Sequence, residues 1–497
     1  MRKFMMLICL VLFTTLLSVN TAEASGPKRI DGADRYDVAV NVSREGWTTS
    51  NTVIITSGAA YADALAASPL AYRLNAPILL TKANGLPANT KNRLQELRAS
   101  NVIVIGGTTS VSERVISEIR SLGIQVRRIS GNDRFEVASN IAKELPAKNM
   151  AIIANGRAAA DSLSIAPYAA RNGIPILLTE STTVPAVTSN SLKNRNVTST
   201  YIMGGETSVS RAVYNKMPSP TRIGGSDRFQ VATNVVKQLG INSKMTYITN
   251  GHAYADALAG SVLAAKQNAV ILLTQPTQLP STTLSLIKEK GIGEFVVLGG
   301  ITSVGQNVVN TLSAPMLGKR IAIDAGHGDT DPGAVGNGLQ EKDIVLDISK
   351  RLQSKVISAG SLPLMTRTTD VYIPLEERVL YAENRDADIF VSIHVNSFTD
   401  PGANGTETWY SDKYQSQESK ELAEAIQDEL VDELGLRDRG VKEGSFVVIR
   451  DSKMPSVLVE VAFLSNSEEA KLLANATFRE KAAKAIYKGV ENYFINN

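Results

Sequence analysis

Residues 29–36 read RIDGADRY, and the phrase returns as RISGNDRF at 128–135 and as RIGGSDRF at 222–229. A second phrase keeps step with it: AYADAL at 60–65, AAADSL at 158–163 and AYADAL at 253–258. A third is a pair of glycines, Gly106-Gly107, Gly204-Gly205 and Gly299-Gly300. The aspartates Asp63, Asp161 and Asp256 stand 98 and then 95 residues apart, so a domain-sized unit is triplicated rather than a short solenoid repeat. Inside the first unit, apolar runs at 52–56, 78–81 and 102–105 alternate with helical patterns at 64–74 and 112–122. That alternation predicts layered α/β units with parallel strands. The diglycine is not a dinucleotide-binding turn, because the third glycine and the following acidic residue are missing. Asp34/Arg35, Asp133/Arg134 and Asp227/Arg228 read as helix starts with a buried ion pair, with a ligand site as the alternative. Asp63, Asp161 and Asp256 read as helix caps. His252 aligns with Ala59 and Arg157 of the other copies, which makes it a loop residue.

The chemistry lies in the last 180 residues. Two of the chain's three histidines fall there, His327 in Gly-His-Gly and His394 in Ser-Ile-His-Val-Asn. Short apolar runs at 320–324, 389–393 and 457–461 read as buried strands, with His327 in the turn after the first and His394 at the end of the second. From Glu341 onward Ile344, Ile348 and Leu352 recur every four residues until Gly360, which puts Glu341 on the first turn of an amphipathic helix. Two histidines and a glutamate make the three-ligand set of a catalytic zinc site, with one position left for water. Glu460, on the third strand, can take a proton from that water. Glu341, as a ligand, stays ionised. Asp329 and Asp331 read as turn residues before Pro332-Gly333, and Arg378 as one half of a structural ion pair. Asp324 is open between a ligand-orienting role and none. Asn396 and Glu407 are candidates to line the cleft.

Here the sequence resembles the amidase 3 type of zinc-dependent N-acetylmuramoyl-L-alanine amidases, from about Lys319 to Tyr493. The matching stretches are IDAGHGDTDPGAVG, LQEKDIVLDIS, TRTTDVYIPLEERVLYAEN, ADIFVSIHVNS, GTETWY and SVLVEVAFLSN. The resemblance implies one Zn2+ per catalytic domain, held by His327, Glu341 and His394, with Glu460 as the catalytic carboxylate. It implies hydrolysis of the amide between N-acetylmuramic acid and the stem peptide's L-alanine. The repeats, over about Lys28 to Leu312, resemble the cell-wall-binding type 2 repeat of Gram-positive surface proteins, which implies non-covalent attachment to wall polymers. The expected fold is therefore α/β throughout: three tandem wall-binding repeats (25–124, 125–219, 220–314), then a zinc amidase domain (319–497) with a twisted central sheet and flanking helices. The implied partners are peptidoglycan, anionic wall polymers such as teichoic acid, and, as a further candidate, a modifier protein with similar repeats. Two alternatives stay open: a zinc peptidase cutting within the stem peptide, and a surface protein that only binds the wall.

Arg2 and Lys3 precede an apolar run over 4–19, and Ala22-Glu23-Ala24 is a small-x-small site, so residues 1–24 read as a secretory signal peptide. That predicts a secreted protein of a Gram-positive cell wall. The run is short for a membrane span, and nothing after it is apolar enough to make one. The single cysteine, Cys9, leaves with the leader, so no disulfide is expected. Charge divides the rest. Residues 25–317 carry 29 Lys+Arg against 18 Asp+Glu, whereas residues 318–497 carry 21 against 30. A basic binding part thus bears an acidic catalytic part, and a basic surface would concentrate the enzyme on a phosphate-rich wall. The leader and the lack of aromatic-basic interleaving argue against nucleic acid as the partner of that charge. Residues 314–318 form the junction, too short for a long tether.

Overall fold

The computed structural model describes residues 26–497, so the leader assigned to 1–24 lies outside the described residues. Each repeat forms a four-stranded, all-parallel sheet with helices packed on it. In the first, Thr52–Ser57 is flanked by Ile78–Thr81 and Asn101–Ile105. The predicted strands are all present, and the first helix runs Tyr61–Arg73, starting three residues before the apolar pattern that announced it. A further helix, Ala88–Glu96, was not legible: only Thr90, Arg93 and Leu94 of it are buried, too few to print a helical period.

The fourth strand of each sheet comes from a different sequence unit. Gln125–Ile129 completes the first sheet and Pro220–Ile223 the second. Lys28–Ile30, at the start of the described chain, pairs with Glu294–Leu298 and completes the third. Sheets and sequence repeats are therefore offset by one strand, and the offset closes the three units into a ring. The first arginine of the repeated phrase fastens each exchange. Arg128 Nη1 donates to Gly106 O at 2.8 Å and Arg222 Nη1 to Gly204 O at 2.8 Å. Arg29 Nη1 donates to Gly299 O at 2.6 Å and closes the circle. The diglycine turn and the Arg-Ile phrase are thus two halves of one joint. Gly106, Gly204 and Gly299 have φ of +110°, +93° and +105°, and a Cβ on any of them would meet Oδ2 of Asp63, Asp161 or Asp256 within 2.8 Å. Helices Tyr61–Arg73, Ala166–Asn172 and Tyr254–Lys266 pack on one another inside the ring, where the Ser68 and Ser261 hydroxyls meet at 2.8 Å.

The last third holds a six-stranded mixed sheet. Its strand order is Leu362–Met365, Arg320–Ala325, Ile389–Asn396, Ser456–Phe463, Thr406–Tyr410, Asp438–Glu443. Only the Thr406–Tyr410 to Ser456–Phe463 pairing is antiparallel. Helices Glu341–Ala359 and Ser416–Leu434 pack on the sheet and Ala476–Asn496 packs on both of them, around a core that includes Ile348, Leu352, Ile426 and Ile486. The junction is pinned. Arg320, 3% exposed, donates to Gly291 O, Lys290 O and Asn242 Oδ1, each at 3.0 Å. Lys244 of the third repeat pairs with Asp388 of the last domain at 2.6 Å. Among the described residues no helix is long and apolar enough to cross a membrane.

Candidate active site

Three parallel strands end side by side and deliver three of the four expected side chains. His327 follows Arg320–Ala325, His394 lies near the end of Ile389–Asn396, and Glu460 stands directly beside His394 in the register of the next strand. Glu341 is the first residue of its helix and reaches the same point from the side. Strand ends and a helix start are where open α/β sheets gather their sites.

The backbone must bend tightly to make room. His327 itself sits at φ +60°, an uncommon conformation for a side chain other than glycine. Its carbonyl is held by Arg378 Nη2 at 2.8 Å. A Cβ on Gly326 would lie 2.3 Å from the His394 ring, and one on Gly333 would lie 2.5 Å from Glu341 Oε2. Gly326 and Gly333 thus clear the space that His394, Glu341 and His327 fill.

Glu341 is buried, and its Oε1 lies 2.9 Å from His394 Nδ1 and 3.2 Å from His327 Nε2. Backbone N–H groups of Val395 and Ala334 fix both its oxygens. Burial pushes its pKa up, but the two histidines outweigh that and hold the carboxyl well below its usual range. His327 is affected oppositely: burial lowers it, and Glu341 and Asp331 bring it above the ordinary histidine value. One ligand atom from each of His327, Glu341 and His394 can be chosen so that all lie within 4.8 Å of one another. Two imidazoles and one carboxylate, at that spacing and on an open cleft, fit a zinc ion's donor preference. The other nitrogen of His327, Nδ1, lies 2.8 Å from Asp331 Oδ2. Asp331, expected only as a turn residue, therefore also fixes the ring and its tautomer. The His-x-x-x-Asp spacing was the available signal.

Asp324 settles into a supporting role. It accepts from Arg378 Nη1 at 2.8 Å, Thr366 Oγ1 at 2.7 Å and Ser392 Oγ at 2.7 Å, with both partners of the ion pair buried. Burial raises its carboxyl, but Arg378 and the two hydroxyls bring it below the ordinary value. The expected structural ion pair of Arg378 is this one.

Glu460 is different in kind. Its Oε2 is buried without a hydrogen-bond partner among the described residues. Burial, then the charges of Glu341 and Glu407, push its carboxyl well above the usual range. Glu407 faces it across the antiparallel pair and is itself held by Lys442, Arg439, Asn396 and Trp409. His327, Glu341, His394 and Glu460 border a cleft of about 480 Å³ whose walls include the expected Asn396 and the apolar Leu375, Phe446 and Leu458, whereas Glu407, the other residue expected there, stands behind Glu460 and is not among them. Lys442, Arg439 and Trp409 were not anticipated. They sit on two strands whose short, polar sequences carry little period.

The family described as N-acetylmuramoyl-L-alanine amidase matches residues 321–492. The family described as cell wall binding domain 2 matches 29–116, 128–214 and 222–309. The N-acetylmuramoyl-L-alanine amidase LytC of Bacillus subtilis is 43% identical over 99% of this chain and 100% of its own. The amidase enhancer of the same organism is 36% identical over 57% of this chain and 40% of its own. Among solved structures, Cwp6 from Clostridium difficile superposes with a TM-score of 0.55 at 30% identity, over 94% of this chain and 80% of that one.

Proposed function

The chain belongs to the N-acetylmuramoyl-L-alanine amidase family and is a cell-wall amidase acting on peptidoglycan, and from that premise we propose a zinc-dependent mechanism with Glu460 as general base. His327, Glu341 and His394 would hold the ion. Bound there, zinc supplies a Lewis acid that acidifies water and polarises the scissile carbonyl. The observation that carries the reading is the unpartnered Glu460 Oε2 on the same cleft as the two histidines and Glu341. A buried carboxyl without a donor is a group kept ready for a proton. Glu460 accepts the proton of the attacking water and returns it to the departing alanine nitrogen. Glu341 stays ionised between two histidines and does not act as the base. Asp331 fixes the His327 ring, and Arg378 fixes the turn that carries it. Leu375, Phe446 and Leu458 give the cleft an apolar wall that helps exclude bulk water.

The basic repeats hold the enzyme on wall polymers while the acidic domain cuts. We further propose that the protein is secreted through the leader at 1–24 and that teichoic acid is among the polymers held. A modifier protein with like repeats is a candidate partner, since the amidase enhancer shares sequence with this chain. Domain limits of 25–124, 125–219, 220–314 and 319–497 are proposed as the units of this division of labour. End-group analysis of digested wall tests the bond cleaved. New N-terminal L-alanine is expected; a different new terminus would make the protein a peptidase cutting within the stem peptide.

A further inference from the structure

Each face between repeats sets the Asp-centred helix start of one unit against the phrase arginine of the next. Two cavities result. One, of about 330 Å³, lies between the first and second repeats and is bordered by Tyr61, Asp63 and Arg134. The other, of about 490 Å³, lies between the third and first and is bordered by Tyr254, Asp256, Tyr61 and Arg35. Tyr61 borders both, its ring 5.6 Å from that of Tyr254.

Asp63 was expected to cap its helix and does not: the N-cap position is Ala60, with no side-chain cap bond. Asp63 is 6% exposed, and no donor among the described residues bonds its carboxyl. Burial, only partly offset by Arg134, pushes that carboxyl up to about 6. The real caps are Asp34, Asp133 and Asp227, which accept from backbone N–H groups. The arginine beside each is not paired with it. Arg134 Nη1 donates to Gly156 O at 2.6 Å, and the guanidinium lies 5.9 Å from the Tyr61 ring centre. Arg35 Nη1 donates to Gly58 O at 2.7 Å. Neither arginine has a carboxylate at ion-pair distance among the described residues.

A cationic fork, an aromatic face and a buried carboxyl converge in each cleft; Asp63 has no donor among the described residues, and Asp256 accepts one long bond, from Ser303 Oγ at 3.4 Å. The fork matches phosphate, the carboxyl matches a hydroxyl, and the ring covers carbon-bound hydrogens. The geometry points to these two clefts as binding sites for a phosphate-bearing polyol or sugar unit of a wall polymer, a reading that rests on the wall-binding role of the repeats. The third face is poorer. Ala159 stands where the others have tyrosine, and Arg228 already contacts His252 Nδ1 at 3.3 Å. Two sites per chain follow, not three.

Calorimetric titration of the full chain with poly(glycerol phosphate), and separately with N-acetylglucosamine 6-phosphate, tests this. Two sites are expected, and the probe that binds more tightly identifies the source of the phosphate. Arg134→Gln and Arg35→Gln should each weaken one site about tenfold or more, as loss of a charged hydrogen bond does. Arg228→Gln, structurally equivalent to both, should leave two sites and so controls for folding. Tyr61→Leu is a second variant and should weaken both. Unchanged binding in the Arg35/Arg134 double variant would overturn the proposal. So would loss of a site in Arg228→Gln, or binding of unphosphorylated glycan strands while neither phosphate probe binds. Muropeptide hydrolysis by the wild-type chain, run in parallel, reports on the amidase reading independently of these clefts.

Discussion

Replacing Arg378 by methionine keeps the length of the side chain and deletes its charge. In the native fold Arg378 is 1% exposed, and its guanidinium serves four acceptors. These are Asp324 Oδ1 at 2.8 Å, Ala325 O at 2.7 Å, His327 O at 2.8 Å and Ile373 O at 2.8 Å. Its removal leaves Asp324, itself 1% exposed, as a buried charge with only the Thr366 and Ser392 hydroxyls. Breaking a buried pair from one side costs about 3–5 kcal/mol, mostly for the stranded charge. Asp324→Asn in the same chain removes that charge while the hydroxyls keep an acceptor. The double variant should therefore recover about 2 kcal/mol relative to Arg378→Met, a coupling within the range for contacting groups. Of the protein's two tryptophans, Trp409 lies in the catalytic sheet and Trp47 in the first repeat. Urea unfolding followed by Trp409 emission in a Trp47→Phe background isolates the relevant transition. A cost below about 1 kcal/mol for Arg378→Met, or simple additivity in the double variant, would refute the argument.

Three further outcomes are expected. His327→Ala, Glu341→Ala and His394→Ala should each abolish stoichiometric zinc measured by atomic absorption, and full occupancy in any one would exclude that residue as a ligand. Asp331→Ala should leave the fold intact but weaken zinc affinity about 10–100-fold in chelator competition, because His327 loses its orienting carboxylate; unchanged affinity would reduce Asp331 to a turn residue. Asp63, with its carboxyl raised to about 6, favours the protonated native state, so its contribution is full below the unfolded value and is lost as pH rises through about 6. Asp63→Asn should remove a fall of about 2 kcal/mol in unfolding free energy between pH 4 and pH 7, and an unchanged slope would mean that Asp63 is not the source.

The grouping of the candidate site was legible because it joins rare residues that stand beside glycines. Three histidines in the whole chain leave few combinations, and Gly326 and Gly333 mark where backbone must yield space. The repeats were legible because the same phrases recur three times. The strand exchange was not, since a phrase reads the same whether its strand joins the sheet before it or after it. Arg29, Arg128 and Arg222 decide that, through bonds to carbonyls that no local pattern announces. The helix starts expected at Asp34, Asp133 and Asp227 are present, whereas the caps expected at Asp63, Asp161 and Asp256 are not, for a similar reason. Asp34 and Asp63 both precede helical patterns, and only the observed dihedrals show that Asp34 occupies the N-cap while Asp63 lies within the first turn. Lys442, Arg439 and Trp409 converge on Glu407 from neighbouring strands, and such convergence leaves no trace in spacing.

Zinc content and turnover of Glu460→Gln, measured on one preparation, test the central claim most directly. The substitution keeps the shape of the side chain and removes its ability to take a proton. Zinc should remain at one ion per chain while hydrolysis of soluble muropeptide falls by about 10²–10⁴-fold, the range for a general base. Full zinc with turnover within about threefold of the wild type would remove Glu460 from the chemistry and contradict the mechanism.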